Sequence, residues 1–87
     1  MYSIVYTKKA AKDIPKLKES KLDAKARALI EILRENPYQT PPTYEKLQGV
    51  FQGAYSRRIN IQHRLVYEVA EKEKTVKIIS IWTHYEF

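Results

Sequence analysis

Leu22, Ala26, Leu29, Ile30 and Leu33 recur at i, i+4, i+7, i+8 and i+11, the spacing of one apolar face on an α-helix. Ser20 is placed to cap the start of that helix. Asn36-Pro37 ends it, because a residue before proline is pushed out of the helical region. A helix of this kind holds together only when its stripe is covered. Three later runs, near 54–60, 63–70 and 75–83, are rich in β-branched and aromatic residues and read as an antiparallel meander. "NPYQTPPT" is the loop leading into them, and "AEKEKT" is the tight turn between the last two.

At the other end, "YSIVYT" reads as a first strand over residues 2–7, with Thr7 capping a helix that carries Ala10, Ile14 and Leu17 at helical spacing. Pro15 lies inside this second pattern and is expected to kink or interrupt it. The expected fold is α+β, β-α-α-β-β-β, with two N-terminal helices packed on a mainly antiparallel four-stranded sheet in a single domain, 1–87. The 87 residues contain no cysteine, so neither a disulfide framework nor a thiolate metal site supports the core, in keeping with a reducing cytoplasm. No apolar run is long enough to cross a bilayer, and the N-terminal residues become charged too early for a secretory signal. A soluble, cytoplasmic protein with no membrane contact is expected.

Strand alternation assigns faces. Leu65, Tyr67 and Val69 point toward the helices, and Arg64, Val66 and Glu68 point away. On the preceding strand Tyr55 and Ile59 face inward, Ser56 and Arg58 outward. Arg57 shares the inward parity and is expected to lie at an edge. Arg58 and Arg64 therefore share one face. The last strand is apolar on both sides, with Val76, Ile78 and Trp82 on one and Ile79 and Ile81 on the other, which suggests a second copy as cover. The formal charge is +6, and residues 8–27 carry eight basic against three acidic side chains. A polyanion fits that segment, as does a merely solvated helix face.

Three of the five arginines stand within residues 54–67. Guanidinium keeps its proton near neutral pH, so Arg58 and Arg64 do not serve as acid or base; they hold phosphate oxygens, or form surface ion pairs with Glu45 or Glu68. His84 can donate a proton near pH 7. His63 alternates with Leu65 and Tyr67, which makes it a structural histidine. There is no HExxH, the only aspartates are Asp13 and Asp23, and Gly49 and Gly53 do not form a phosphate loop, so no metal and no cofactor are expected. Chemistry on a phosphodiester that carries its own nucleophile remains. RNA supplies a 2′-hydroxyl, and the protein then needs one base, one acid and fixed positive charge. Glu45, His84 and the Arg58/Arg64 pair fill those roles.

"YEKLQG" at 44–49, "YSRRINIQHRLVY" at 55–67 and "HY" at 84–85 closely resemble YoeB/Txe-type toxins of the RelE superfamily. The resemblance implies the RelE-like fold and an endoribonuclease of a type II toxin–antitoxin system that cuts messenger RNA in the ribosomal A site. It makes Glu45 the general base, Arg58 and Arg64 the phosphate and transition-state stabilisers, His84 the general acid and Tyr85 the neighbouring aromatic that positions RNA. Lys8, Lys9 and Lys12 are expected to grip ribosomal RNA, with Lys46, Tyr55 and Arg57 as further RNA contacts. Implied partners are a cognate antitoxin, the ribosome with its message, a second copy in a homodimer, and operator DNA only through the antitoxin. Tyr55 stands where members often have tryptophan, and Glu86-Phe87 extend past the usual terminal tyrosine. The alternative is a non-catalytic module of this fold that binds nucleic acid or antitoxin. A gyrase-directed, ParDE-like member is expected to lack the four-residue set.

Overall fold

The computed structural model describes residues 1–83; His84, Tyr85, Glu86 and Phe87 lie outside them. The chain runs β1 (Ser3–Tyr6), α1 (Lys8–Glu19), α2 (Asp23–Glu35), β2 (Tyr44–Lys46), β3 (Ala54–Arg58), β4 (Arg64–Ala70) and β5 (Thr75–Thr83). The sheet has five strands in the order β1-β5-β4-β3-β2, one more than expected. The addition is β2, whose three residues pair antiparallel with β3. So short a strand has too few residues for alternation to reveal it. β1 joins β5 in parallel, and the remaining pairs are antiparallel.

Helix limits depart from expectation at two places. The Ser20 N–H closes α1 on the carbonyls of Lys16 and Lys18, and α2 begins at Asp23 after Leu22. Ser20 therefore ends one helix, while the Asp23 carboxylate sits in the first turn of the next, where the helix dipole favours negative charge. Pro15 does not interrupt α1, which continues through it to Glu19. Tertiary packing decides here: Ala10, Asp13 and Leu17 on either side of the proline are buried against the sheet. Thr7 caps α1 as expected, its hydroxyl accepting from the Ala10 N–H at 3.1 Å, and α2 stops before Asn36-Pro37.

The core lies between the helices and one sheet face. Leu17, Ala26, Leu29, Ile30 and Leu33 meet Leu65, Tyr67, Val76, Ile78 and Ile81, so the alternation on β4 holds. A smaller cluster of Leu47, Ala54 and Val66, flanked by Phe51 and Ile79, forms on the opposite face. The doubly apolar last strand has a local cause. Val66 pairs with Ser80 while Tyr67 pairs with Ile78, leaving Ile79 as an extra residue in a bulge that shifts the pleat. Ile81 thereby joins the helix-side core, contrary to its expected parity, and much of the apolar surface assigned to a second copy is already covered.

β1 pairs with β5 only as far as Tyr6 opposite Ile78. Beyond it the Thr7 N–H donates to the Ile78 carbonyl at 3.0 Å and its hydroxyl to the Ile79 carbonyl at 2.7 Å. Asp13 then takes over. Its fully buried carboxylate accepts from the N–H groups of Ile81 at 3.0 Å and Trp82 at 3.1 Å, and from Lys9 Nζ at 2.6 and 2.8 Å. Burial pushes the Asp13 pKa up, but the Lys9 ammonium and the two amides outweigh it and hold the group below its ordinary 3.8. A depressed carboxylate pKa contributes stability that is complete above the unfolded value and lost as pH falls through the folded one. Asp13→Asn is therefore expected to destabilise the fold by about 2 kcal/mol near pH 7. In denaturant titrations across the acid range, that difference should shrink as pH drops below 3.8.

Candidate active site

Glu45 stands opposite Ser56 across β2 and β3, and Arg58 stands opposite Arg64 across β3 and β4. Because Ser56 and Arg58 are two residues apart, all four side chains leave the sheet on the face away from the helices. They line a cleft of about 330 Å³ together with Pro42 and Thr43. A somewhat larger cleft of about 370 Å³ lies over the helices, with Ile14, Leu17, Ala26 and Ile30 among its lining residues; it holds none of the candidate residues.

Arg64 is the most enclosed of the charged groups here, with 13% of its side chain exposed. Its Nη1 lies 3.2 Å from Glu45 Oε1 and donates to Ser56 Oγ, also at 3.2 Å. The ion pair open to Arg64 in the sequence is thus present, inside the cleft. Arg58 is exposed on the same face. The arrangement offers a phosphodiester two guanidiniums, with a carboxylate within reach of a proton beside it.

Arg57 requires correction, both as an edge residue and as an RNA contact. It is 1% exposed. Its Nε donates to the Tyr67 hydroxyl at 3.1 Å, Nη1 to the Pro42 carbonyl at 2.6 Å and Nη2 to the Pro37 carbonyl at 3.0 Å. The Tyr67 hydroxyl donates to the same Pro37 carbonyl at 3.0 Å, and the Tyr44 ring lies 4.9 Å from the guanidinium carbon. The inward parity holds, and the loop 36–43 is what covers the charge. By clamping that loop, Arg57 fixes the approach to β2 and hence to Glu45.

Tyr55 and Lys46, also expected as RNA contacts, do not line the cleft. Paired across β2 and β3, they belong to the face opposite Glu45. Tyr55 makes edge-on contacts with Tyr38 at 6.0 Å and Tyr44 at 5.5 Å; Lys46 is exposed at the sheet edge. Lys8 and Lys12 are exposed on α1, and Lys9, with 54% of its side chain exposed, is engaged by Asp13. His63, as its parity implies, is buried, and it stacks on Trp82 with ring centroids 3.7 Å apart. His84 and Tyr85 lie outside the described residues. Sequence reasoning misses Ser56, Pro42 and Thr43 as parts of the cleft; the outward parity of Ser56, next to Arg57-Arg58, is the signal that could have found the first of them.

A two-helix layer on a five-stranded sheet is an architecture shared with small bacterial toxins. The family described as YoeB-like toxin of bacterial type II toxin–antitoxin system matches residues 6–85. A Synechocystis protein named Toxin YoeB is 35% identical over 68 residues, covering 78% of this chain and 77% of its own. A YoeB/ParE toxin from Agrobacterium tumefaciens superposes with a TM-score of 0.86 at 27% identity, over 95% of this chain and 99% of that one. A Staphylococcus aureus YoeB, 32% identical, matches both in a heterotetrameric complex with YefM (TM-score 0.80, 98% and 99% covered) and as a dimer (TM-score 0.81, 97% and 98% covered). The chain belongs to the YoeB-like toxin family, as a toxin of a type II toxin–antitoxin system.

Proposed function

We propose that the chain is a metal-independent endoribonuclease that cuts messenger RNA in the ribosomal A site. The observation that carries this reading is the convergence of Glu45, Arg58 and Arg64 on one open cleft. A phosphodiester entering between the arginines draws the Arg64 guanidinium onto its oxygens, and the Glu45 carboxylate released from that pair takes the proton of the 2′-hydroxyl. The 2′-oxygen then bonds to phosphorus as the bond from phosphorus to the 5′-oxygen breaks. A proton from His84 neutralises the departing oxygen. The products are a 2′,3′-cyclic phosphate, which a water molecule then opens to a 3′-phosphate and a free 2′-hydroxyl, and a 5′-hydroxyl.

End-labelled message incubated with and without ribosomes tests the reading. Cleavage confined to the ribosomal sample and leaving 5′-hydroxyl ends is expected. A 5′-phosphate, or equal cutting when the nucleotide at the cut site lacks its 2′-hydroxyl, defeats it.

The same reading gives α1 its partner. Neutralising Lys8 and Lys12 together is expected to weaken ribosome binding and to lower the log–log salt slope by about one for each phosphate that these side chains neutralise. An unchanged slope makes these lysines a solvated face. Inhibition falls to an antitoxin whose disordered acidic segment folds over the Arg58/Arg64 face, and operator DNA is reached only through that partner. The chain acts as a homodimer in the cytoplasm, in line with the dimeric S. aureus relative.

A further inference from the structure

Asp13 is the most deeply buried carboxylate among the described residues, and the chemistry above makes no use of it. All its partners converge on one stretch of chain. Its Oδ2 accepts from both Ile81 and Trp82 N–H groups, while Lys9, held on Asp13, reaches the Trp82 carbonyl at 3.3 Å. The peptide on each side of Trp82 is thereby gripped, one side by the carboxylate and the other by the ammonium. The His63 ring stacks on the Trp82 indole. These anchors act where β1 no longer runs beside β5, so side chains of α1 replace a missing strand. His84 follows two residues later in the sequence.

We infer that Asp13, with Lys9, is a positioning residue for the reaction: it fixes the backbone at Trp82, and so the point from which His84 is presented to the phosphodiester. On one edge this stretch is paired with β4, Ser80 opposite Val66 and Thr83 opposite Arg64; on the edge that β1 has left, apolar contact alone would let it tilt, and the proton would have to be delivered from a scattered set of positions. A buried charge-assisted grip removes that freedom, because rotating the peptide away strands the carboxylate in an apolar setting. The inference rests on His84 acting as the acid in the proposed function.

The test uses the whole chain with its histidine rings isotope-labelled, which gives two sets of ring signals, one each for His63 and His84. His84→Gln assigns the second set by its loss. Three quantities are followed in Asp13→Asn and Lys9→Met: amide exchange at Trp82, the His84 ring resonances, and the single-turnover rate on ribosome-bound message at saturating ribosome. Expected are faster exchange, displaced His84 resonances and a rate lowered about tenfold to a hundredfold in Asp13→Asn. Lys9→Met is expected to show the same signs to a smaller degree. Ribosome affinity should stay within about twofold. A purely structural role would change stability and exchange but leave the His84 signals and the rate per folded molecule as in wild type, and that result overturns the inference. Wild-type His84 resonances overturn it whatever the rate does. Should Asp13→Asn fail to fold, Lys9→Met decides by the same criteria, since its side chain is half exposed. Full activity in His84→Gln would instead refute the proposed function, a result separable from either outcome at Asp13.

Discussion

Glu45→Gln is expected to slow single-turnover cleavage of ribosome-bound message by about two to four orders of magnitude, and His84→Gln by a similar factor. The first change leaves a side chain of nearly the same shape in the cleft but removes the proton acceptor. The second removes the donor that makes the 5′-oxygen a tolerable leaving group. Neither should alter ribosome affinity by more than about twofold, because binding is assigned to exposed lysines and to arginines that both variants retain. Glu45→Gln has a second effect, since Arg64 loses its carboxylate partner at 3.2 Å. Its hydrogen bond to Ser56 remains, so the guanidinium should stay in the cleft. Cleavage at the wild-type rate in either variant would remove that residue from the mechanism.

Arg57→Ala is expected to destabilise the fold by about 2–4 kcal/mol, read from denaturant unfolding, because it takes a charged donor from the part-buried Pro42 carbonyl and from the buried Pro37 carbonyl, which keeps the Tyr67 hydroxyl, and opens a void beside Tyr67. Its neighbour behaves differently. Arg58→Ala should leave stability nearly unchanged, since the side chain is exposed, while lowering the cleavage rate by about 10²–10³ through loss of a transition-state donor. Measuring both properties on both variants separates the roles. Equal stability of the two would show that the clamp on loop 36–43 is dispensable.

Strand alternation reads Arg58 and Arg64 onto one face because parity survives wherever a strand is regular. The same rule fails on Ile81, where the irregularity in the β4–β5 pairing between Val66 and Tyr67 shifts the side-chain count by one, and no residue type in "KIISIW" advertises a bulge. Arg57 shows a different limit. Its inward parity is legible, but a buried guanidinium needs acceptors, and those come from proline carbonyls 15 and 20 residues upstream in a segment with no periodicity to read. Lys9 shows a related limit. Its charge is visible in the sequence, whereas its pairing with Asp13 becomes distinctive only once the last strand arrives to bury the carboxylate. The cleft residues resemble a known motif and are identified from it; Ser56, which supports Arg64 through a single hydroxyl, carries no such signature.

The order of strands also bears on when the molecule comes into being. β5 lies between β1 and β4, so the first strand synthesised has no sheet neighbour until the last one exists; Ser3 to Tyr6 wait for Thr75 to Ile78. Residues 81–82, which satisfy Asp13, arrive at the same late stage. A nascent chain that has emerged only through β4 has the arginines of its cleft but lacks the strand that ties both helices to the sheet, and pairings that span 68 residues form slowly compared with local ones. The complete body is thus assembled only after translation of 75–83, so the residues of the cleft exist in the chain before the sheet that holds them is closed.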